Sequence, residues 1–261
     1  MFGEWSRIST AILITLVLIG SHAIADDSGK KFKVDVDSAF NGKYVWRGIN
    51  LVDGWVWQPS VTASHKWISA SIWGSMELGD ENYYPGEGSG EGKFTEVDYT
   101  LEAAYDWKKL SFATGVIQYR FPNTGFDKTT EVYASLGFDV VLSPTLAVYR
   151  DVDLAKGLYG VFSIDYAVEE FYKSDGLLSV GAEAGASVAA GDADHNEFYY
   201  GYDDDAFRDA VVYVALPAAV GEYWSVTPSA SYSTILYEDI GDSFDGDEDE
   251  FWWGVSLAAS F

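Results

Sequence analysis

The sequence predicts an all-β fold: a transmembrane, antiparallel up-and-down β-barrel of about twelve strands, preceded by a cleaved signal peptide. Three observations carry this expectation. The last stretch, Glu250 to Phe261, sets Phe251, Trp253, Val255, Leu257, Ala259 and Phe261 on one face, and Glu250, Gly254, Ser256, Ala258 and Ser260 on the other, with Trp252 the exception. That is the period of a strand between unlike media, and its length suits a tilted crossing of about 9–11 residues. At the front, Arg7 precedes an apolar run from Ala11 to Ile19, and Ala23-Ile24-Ala25 precedes Asp26-Asp27. Charged flank, short apolar core and A-x-A are the parts of a secretory leader. Finally, the chain is rich in Trp, Tyr, Phe and Gly while its mean hydropathy is close to zero, as expected where lipid-facing and water-facing residues alternate.

The expected organisation is a signal peptide over 1–25 and one barrel domain over 26–261. The apolar run at the front is too short for a spanning helix, which takes about 20 residues. Ala210 to Val220 is short as well and contains Pro217. The chain has no cysteine, so no disulfide framework supports it and stability rests on the sheet.

The first strand is expected over about Phe32 to Trp46, with Val34, Val36, Phe40, Tyr44 and Trp46 on one face and Asp35, Asp37, Asn41, Lys43 and Arg47 on the other. A connection through Gly48 and Gly54 leads to Val56–His65, and a tight turn at Lys66-Trp67 to Ser69–Leu78. A Gly- and Glu-rich loop, Gly79 to Lys93, precedes Thr95–Trp107, the cleanest internal alternation. Lys108-Lys109 turns into Leu110–Tyr119, and the Pro122–Gly125 loop leads to Thr129–Val141. Ser143-Pro144 turns into Thr145–Tyr149; then come Leu158–Val168, a turn over Lys173–Gly176, and Leu177–Ala189. A long acidic loop, Gly191 to Asp205, precedes Arg208–Leu216, the turn at Gly221, Ser225–Leu236, a second acidic loop over Glu238–Asp249, and the final strand. Short turns fall at one end and long loops at the other, and the even strand count brings both termini to one side. Trp46, Trp55, Trp57, Trp252 and Trp253 fall near long-loop ends, and Trp67, Trp107 and Trp224 near short turns. Two aromatic belts at headgroup level are expected, and with them a bacterial outer membrane.

A formal net charge of −25 argues against nucleic-acid binding, which wants basic surface. Catalysis is not expected either. Ser64 and His65 are neighbours on a strand and point to opposite faces. His195 lies in an acidic loop that reads as solvated, without a second His or a Cys. No cofactor is expected. Glu238 to Glu250 carries eight acids and no base; Asp245, Asp247 and Asp249 have the alternate spacing of a calcium loop without its glycine and terminal Glu. Diffuse attraction of divalent cations, bridging lipopolysaccharide phosphates, is one reading and a merely soluble loop the other.

With apolar faces toward lipid, the expected pore-lining set is Asp35, Asp37, Lys43, Arg47, Glu77, Glu96, Asp98, Glu102, Asp106, Glu131, Asp165 and Glu183. A charge on the lipid face costs about 2–4 kcal/mol at the midplane, which drives these residues inward. Rings of carboxylates favour cations. The expectation is an outer-membrane channel for small hydrophilic solutes, cationic or neutral. The alternatives are a plugged barrel and a non-conducting barrel whose acidic loops meet cations, lipopolysaccharide or a surface partner.

The chain resembles the TorF family of porins at Tyr44-Val45-Trp46-Arg47-Gly48-Ile49, with similar segments at Gln58-Pro59-Ser60, Ile72-Trp73-Gly74-Ser75, Gly115–Pro122 and Glu131-Val132-Tyr133. The likeness covers about 32–138 and is only architectural beyond. The enlarged 79–93 loop, the acidic later loops and Asn50-Leu51 depart from it. The resemblance implies an outer-membrane barrel. Arg47 and Glu131 are expected to matter as an inward charge pair near the long-loop rim. The terminal Phe261 is similar to the end signal of bacterial outer-membrane barrels.

Overall fold

The computed structural model describes residues 32–174, 177–243 and 246–261. The expected signal peptide, Asp175-Gly176 in the turn after the eighth strand, and Asp245 lie outside them.

Twelve antiparallel strands form the wall: β1 (Lys33–Asn41), β2 (Val56–His65), β3 (Ile68–Glu77), β4 (Phe94–Trp107), β5 (Leu110–Arg120), β6 (Thr129–Phe138), β7 (Thr145–Asp151), β8 (Leu158–Ser174), β9 (Leu178–Gly191), β10 (Ala206–Ala215, resumed over Ala218–Val220), β11 (Trp224–Ile235) and β12 (Asp249–Ser260). Each pairs with its sequence neighbour, and β12 returns to pair with β1 from Asp35↔Ser260 to Asn41↔Gly254. The barrel is therefore closed. Closure satisfies every wall strand on both sides, which lipid demands because it offers no hydrogen bonds. β10 breaks around Pro217, which has no N–H to donate; its carbonyl still accepts from the Gly181 amide at 2.8 Å.

Alternation along each strand separates the two faces. On β3 and β4, Ile72 and Leu101 are each 53% exposed, while inward Glu77 and Glu102 are buried. Trp55 and Trp253 meet edge-to-face outside the wall at 5.0 Å. Trp67, Trp107 and Trp224 are exposed by the short turns. An apolar exterior on a closed barrel of even strand number is the architecture of the bacterial outer membrane, where this chain belongs. Inside, small residues make room for rings. A Cβ on Gly115 would come within 2.7 Å of the Tyr133 ring, which lies across it from the paired position on β6.

The first strand departs from expectation. β1 ends at Asn41, and Gly42 makes the last ladder bond, to the Trp253 carbonyl. The chain then folds over the rim into the barrel as a hairpin of Tyr44–Trp46 and Ile49–Val52. Tyr44 and Trp46 thus face the interior, not lipid, and Lys43 and Arg47 belong to this hairpin rather than to the wall. Trp252 also points inward. Trp46 and Trp252 therefore leave the upper belt to Trp55, Trp57 and Trp253.

Candidate functional site

The inward hairpin turns at Arg47-Gly48, both with positive φ, at 50° and 83°. Two such residues make the tight turn whose twist suits a two-residue hairpin. Gly48 is required twice over, because a Cβ there would lie 2.7 Å from Ile235 Cδ1. At Arg47 a side chain sits in a region that L-residues avoid, and its contacts show what holds it there. The guanidinium grips Glu131 of β6 through two parallel bonds, Nη1 to Oε1 at 2.8 Å and Nη2 to Oε2 at 2.7 Å. Its carbon lies 4.1 Å from the centre of the Tyr159 ring, 4.4 Å from Trp46 and 5.1 Å from Tyr149. Tyr119 also donates to Glu131, at 2.9 Å. Burial alone would lower the Arg47 pKa; the adjoining Glu131 carboxylate more than reverses this, so the group stays charged.

A second element closes over the hairpin. Helix α1 (Ala193–Tyr200) starts at Asp192, whose side chain accepts from the His195 amide at 3.0 Å, and ends at Gly201 with φ 72°. An Asp N-cap and a left-handed glycine after the last turn are standard helix boundaries. The helix carries His195 and Tyr200 into the mouth, where the Tyr200 hydroxyl donates to the Arg47 carbonyl at 2.5 Å. Arg208, fully buried on β10, donates to the same carbonyl at 3.0 Å and touches the Tyr200 hydroxyl. Its Nη1 lies 2.7 Å from His195 Nδ1, and Arg47 Nη1 lies 3.1 Å from His195 Nε2. Burial, then Arg208 and Arg47, hold the His195 pKa far below its ordinary value. A neutral imidazole is thus clamped between two guanidiniums. Burial pushes the Tyr200 hydroxyl up to about 12.

At the hairpin's base, Lys43 bridges Glu250 at 2.8 Å and Asp53 at 2.6 Å, and Asn50 donates to Glu250 at 2.9 Å. Tyrosine hydroxyls donate to the inward acids, at the rim from Tyr84 to Glu77 (2.5 Å) and below it from Tyr44 to Glu96 (2.9 Å), Tyr133 to Glu102 (2.6 Å) and Tyr213 to Asp165 (2.7 Å). Asp98 and Glu131 are buried beside this layer. Toward the short-turn end, Asp35, Asp37, Asp106, Asp165 and Glu183 face inward and are only half-buried, among small neighbours such as Ser71, Ser135 and Ser229. All ten acids of the expected pore-lining set are on the inner face; Lys43 and Arg47 instead belong to the closing hairpin.

Sequence parity missed Arg208 and Asp209. In the β9–β10 pairing, Val188 faces Ala210 but Ala190 faces Phe207. The extra residue is a β-bulge, and it turns both Arg208 and Asp209 inward, where Asp209 accepts from Tyr159 at 3.3 Å. Their adjacency as a charged pair opening a strand was the available signal. Asp247 and Asp249 are exposed. Among the described residues, no group of three His, Cys, Asp or Glu side chains is placed to hold a metal.

No protein-family profile and no curated protein matches the chain, so the likeness to TorF porins stays a resemblance. Solved barrels with comparable outlines include the NanC porin (12% identity, 87% of this chain and 98% of that one, TM-score 0.46). LpxR from Salmonella typhimurium aligns over 87% of this chain and 99% of its own, at 8% identity and TM-score 0.49. An outer-membrane channel from Pseudomonas putida F1 aligns over 88% and 94%, at 8% identity and TM-score 0.44. With every one of these TM-scores below 0.5, the fold rests on the strand pairing itself and no activity transfers. The expectation that the chain is not an enzyme is withdrawn. It relied in part on a solvated His195, which is in fact buried at 1% exposure. Outer-membrane enzymes are also built on the same barrel fold as channels, so the fold does not settle activity.

Proposed function

We propose that the protein is a porin-like outer-membrane channel for small hydrophilic solutes, cationic or neutral, that is shut at its long-loop mouth. The observation that carries this reading is what does the shutting. The closure is made by a hairpin and a helix inserted from loops, while the short-turn half is lined by small polar residues and half-buried acids. A passage lined by carboxylates attracts cations. Residues 1–25 act in this reading as the export signal. Lipid and lipopolysaccharide are its surroundings, and Asp247 and Asp249 add diffuse attraction for divalent cations at the surface.

The test is reversal potential in a planar bilayer under a KCl gradient, on protein whose hairpin has been loosened. Cation preference that falls in Asp106→Asn with Glu183→Gln supports the reading, while anion preference overturns it. A second reading, a non-conducting surface barrel, is favoured by the complete burial of Arg208, His195 and Glu131 in the mouth. A folded barrel that stays silent after hairpin removal would establish it.

A further inference from the structure

We propose that the wall carries a binding site for guanidinium-bearing solutes, which Arg47 of the chain itself occupies in the shut barrel. The inference rests on the channel reading and names the class of solute recognised at its mouth. The cage consists of Glu131, Tyr119, Tyr149 and Tyr159, one residue from each of the consecutive strands β5 to β8. Tyr149 and Tyr159 are register partners across β7 and β8, and Tyr133 beneath stacks on Tyr149 with ring centres 5.4 Å apart. These residues belong to the closed sheet and stay in place if the hairpin leaves; only Trp46 departs with it.

The chemistry of the cage is specific. A carboxylate that accepts two parallel bonds selects a planar fork. Ring faces at 4.1 and 5.1 Å select a flat, weakly hydrated cation. An ammonium offers a point charge and cannot satisfy both carboxylate oxygens with the same geometry. The delivery of Arg47 is itself costly, because its backbone is held at φ 50° and most residues resist that conformation. Below the cage, Glu102 and Asp165 continue an acidic face toward the short-turn end. A solute cation entering from that end would meet negative charge along the way and the cage at its head. Arg47 is therefore a tethered competitor: a free guanidinium that takes Glu131 removes the hairpin's anchor.

Titration calorimetry of folded Arg47→Ala barrel with methylguanidinium, methylammonium and N-methylurea tests this. Saturable binding of methylguanidinium is expected, roughly tenfold tighter than methylammonium, absent with N-methylurea and lost when Glu131→Gln is added. Methylguanidinium binding no better than N-methylurea, or unaffected by Glu131→Gln, would overturn the proposal. If Arg47→Ala does not fold, Arg47→Lys replaces it. Its unfolding midpoint is expected to rise with methylguanidinium and not with methylammonium, and an unmoved midpoint counts against the cage. Conductance of a barrel in which an Asn-Gly turn replaces residues 42–55 separates the two ideas: conduction there without methylguanidinium binding sinks the cage alone, and binding without conduction there sinks the channel alone.

Discussion

Arg208 and Asp209 are consecutive in sequence, yet both side chains are buried on the inner face of the barrel. A single bulge against β9 makes this possible, and it brings a second guanidinium to the mouth of a barrel that Arg47 already reaches from a loop. The two guanidiniums meet at His195, and Arg208 also donates to the Arg47 carbonyl, so wall, hairpin and helix are joined at one point. That junction decides how the mouth responds to substitution and to acid.

Glu131→Gln removes the charge that compensates Arg47 inside the barrel. Losing one partner of a buried pair costs about 3–5 kcal/mol, because the other is left uncompensated. The unfolding midpoint, followed by heat-modifiable gel mobility, is expected to fall markedly. Arg47→Met combined with Glu131→Gln should recover much of the loss. A double variant as unstable as Glu131→Gln alone would count against the pair as the anchor.

Gly48→Ala should dislodge the hairpin while leaving the wall intact. An L-residue in the left-handed region costs about 1–2 kcal/mol, and the new methyl would press on Ile235 and Asp209. The chain has no cysteine, so Val52→Cys, at a buried hairpin position, can report release by thiol labelling. Labelling is expected to be much faster in the Gly48→Ala background. Equal rates would mean that the turn does not hold the hairpin.

Acid should also release the closure. The ordinary pKa of His195 is 6.5 and its docked value lies below that, since burial and then Arg208 and Arg47 oppose its protonation. The released loop therefore binds a proton that the docked loop excludes. Docking is fully favoured above about pH 6.5 and weakens below it, by up to about 1.4 kcal/mol per pH unit. Labelling of Val52→Cys should quicken from neutral pH to pH about 5, with a flatter profile in His195→Gln. An identical profile in both would show that His195 does not set the acid response.

The two faces of the wall should respond oppositely to the same substitution. Ile72→Arg puts a cation against lipid in the middle of β3, at about 2–4 kcal/mol, and should impair folding into bilayers. Ser71→Arg, one residue earlier and facing inward, should fold nearly as well as the parent. Equal folding yields would contradict the assignment of faces.

The wall was legible in the sequence because a strand repeats every two residues and lipid enforces the choice of face. Thr95–Trp107 and Glu250–Phe261 show this, and the turns at Lys66 and Lys108, both with positive φ, fall where Lys-containing pairs interrupt the alternation. The mouth was not legible. Alternation continues through Gly42 into Tyr44 and Trp46, so nothing local marks the point where the chain leaves the wall. The same alternation fails at the Arg208-Asp209 bulge. In Gly191–Asp205, acidity dominates the composition and hides the caps, Asp192 and Gly201, that make a helix and bury His195. Arg47 and Glu131 could be paired from the sequence only by resemblance, since they are far apart along the chain and meet through closure.

Single-channel recording tests the central claim most directly: the mouth is closed by the hairpin rather than by the wall. Asn41 and Val56 are register partners, so an Asn-Gly turn can replace residues 42–55 without moving β1 or β2. The parent barrel is expected to stay mostly silent in a planar bilayer, and the hairpin-less barrel to show discrete, cation-preferring steps. A correctly folded hairpin-less barrel that never conducts would contradict the account.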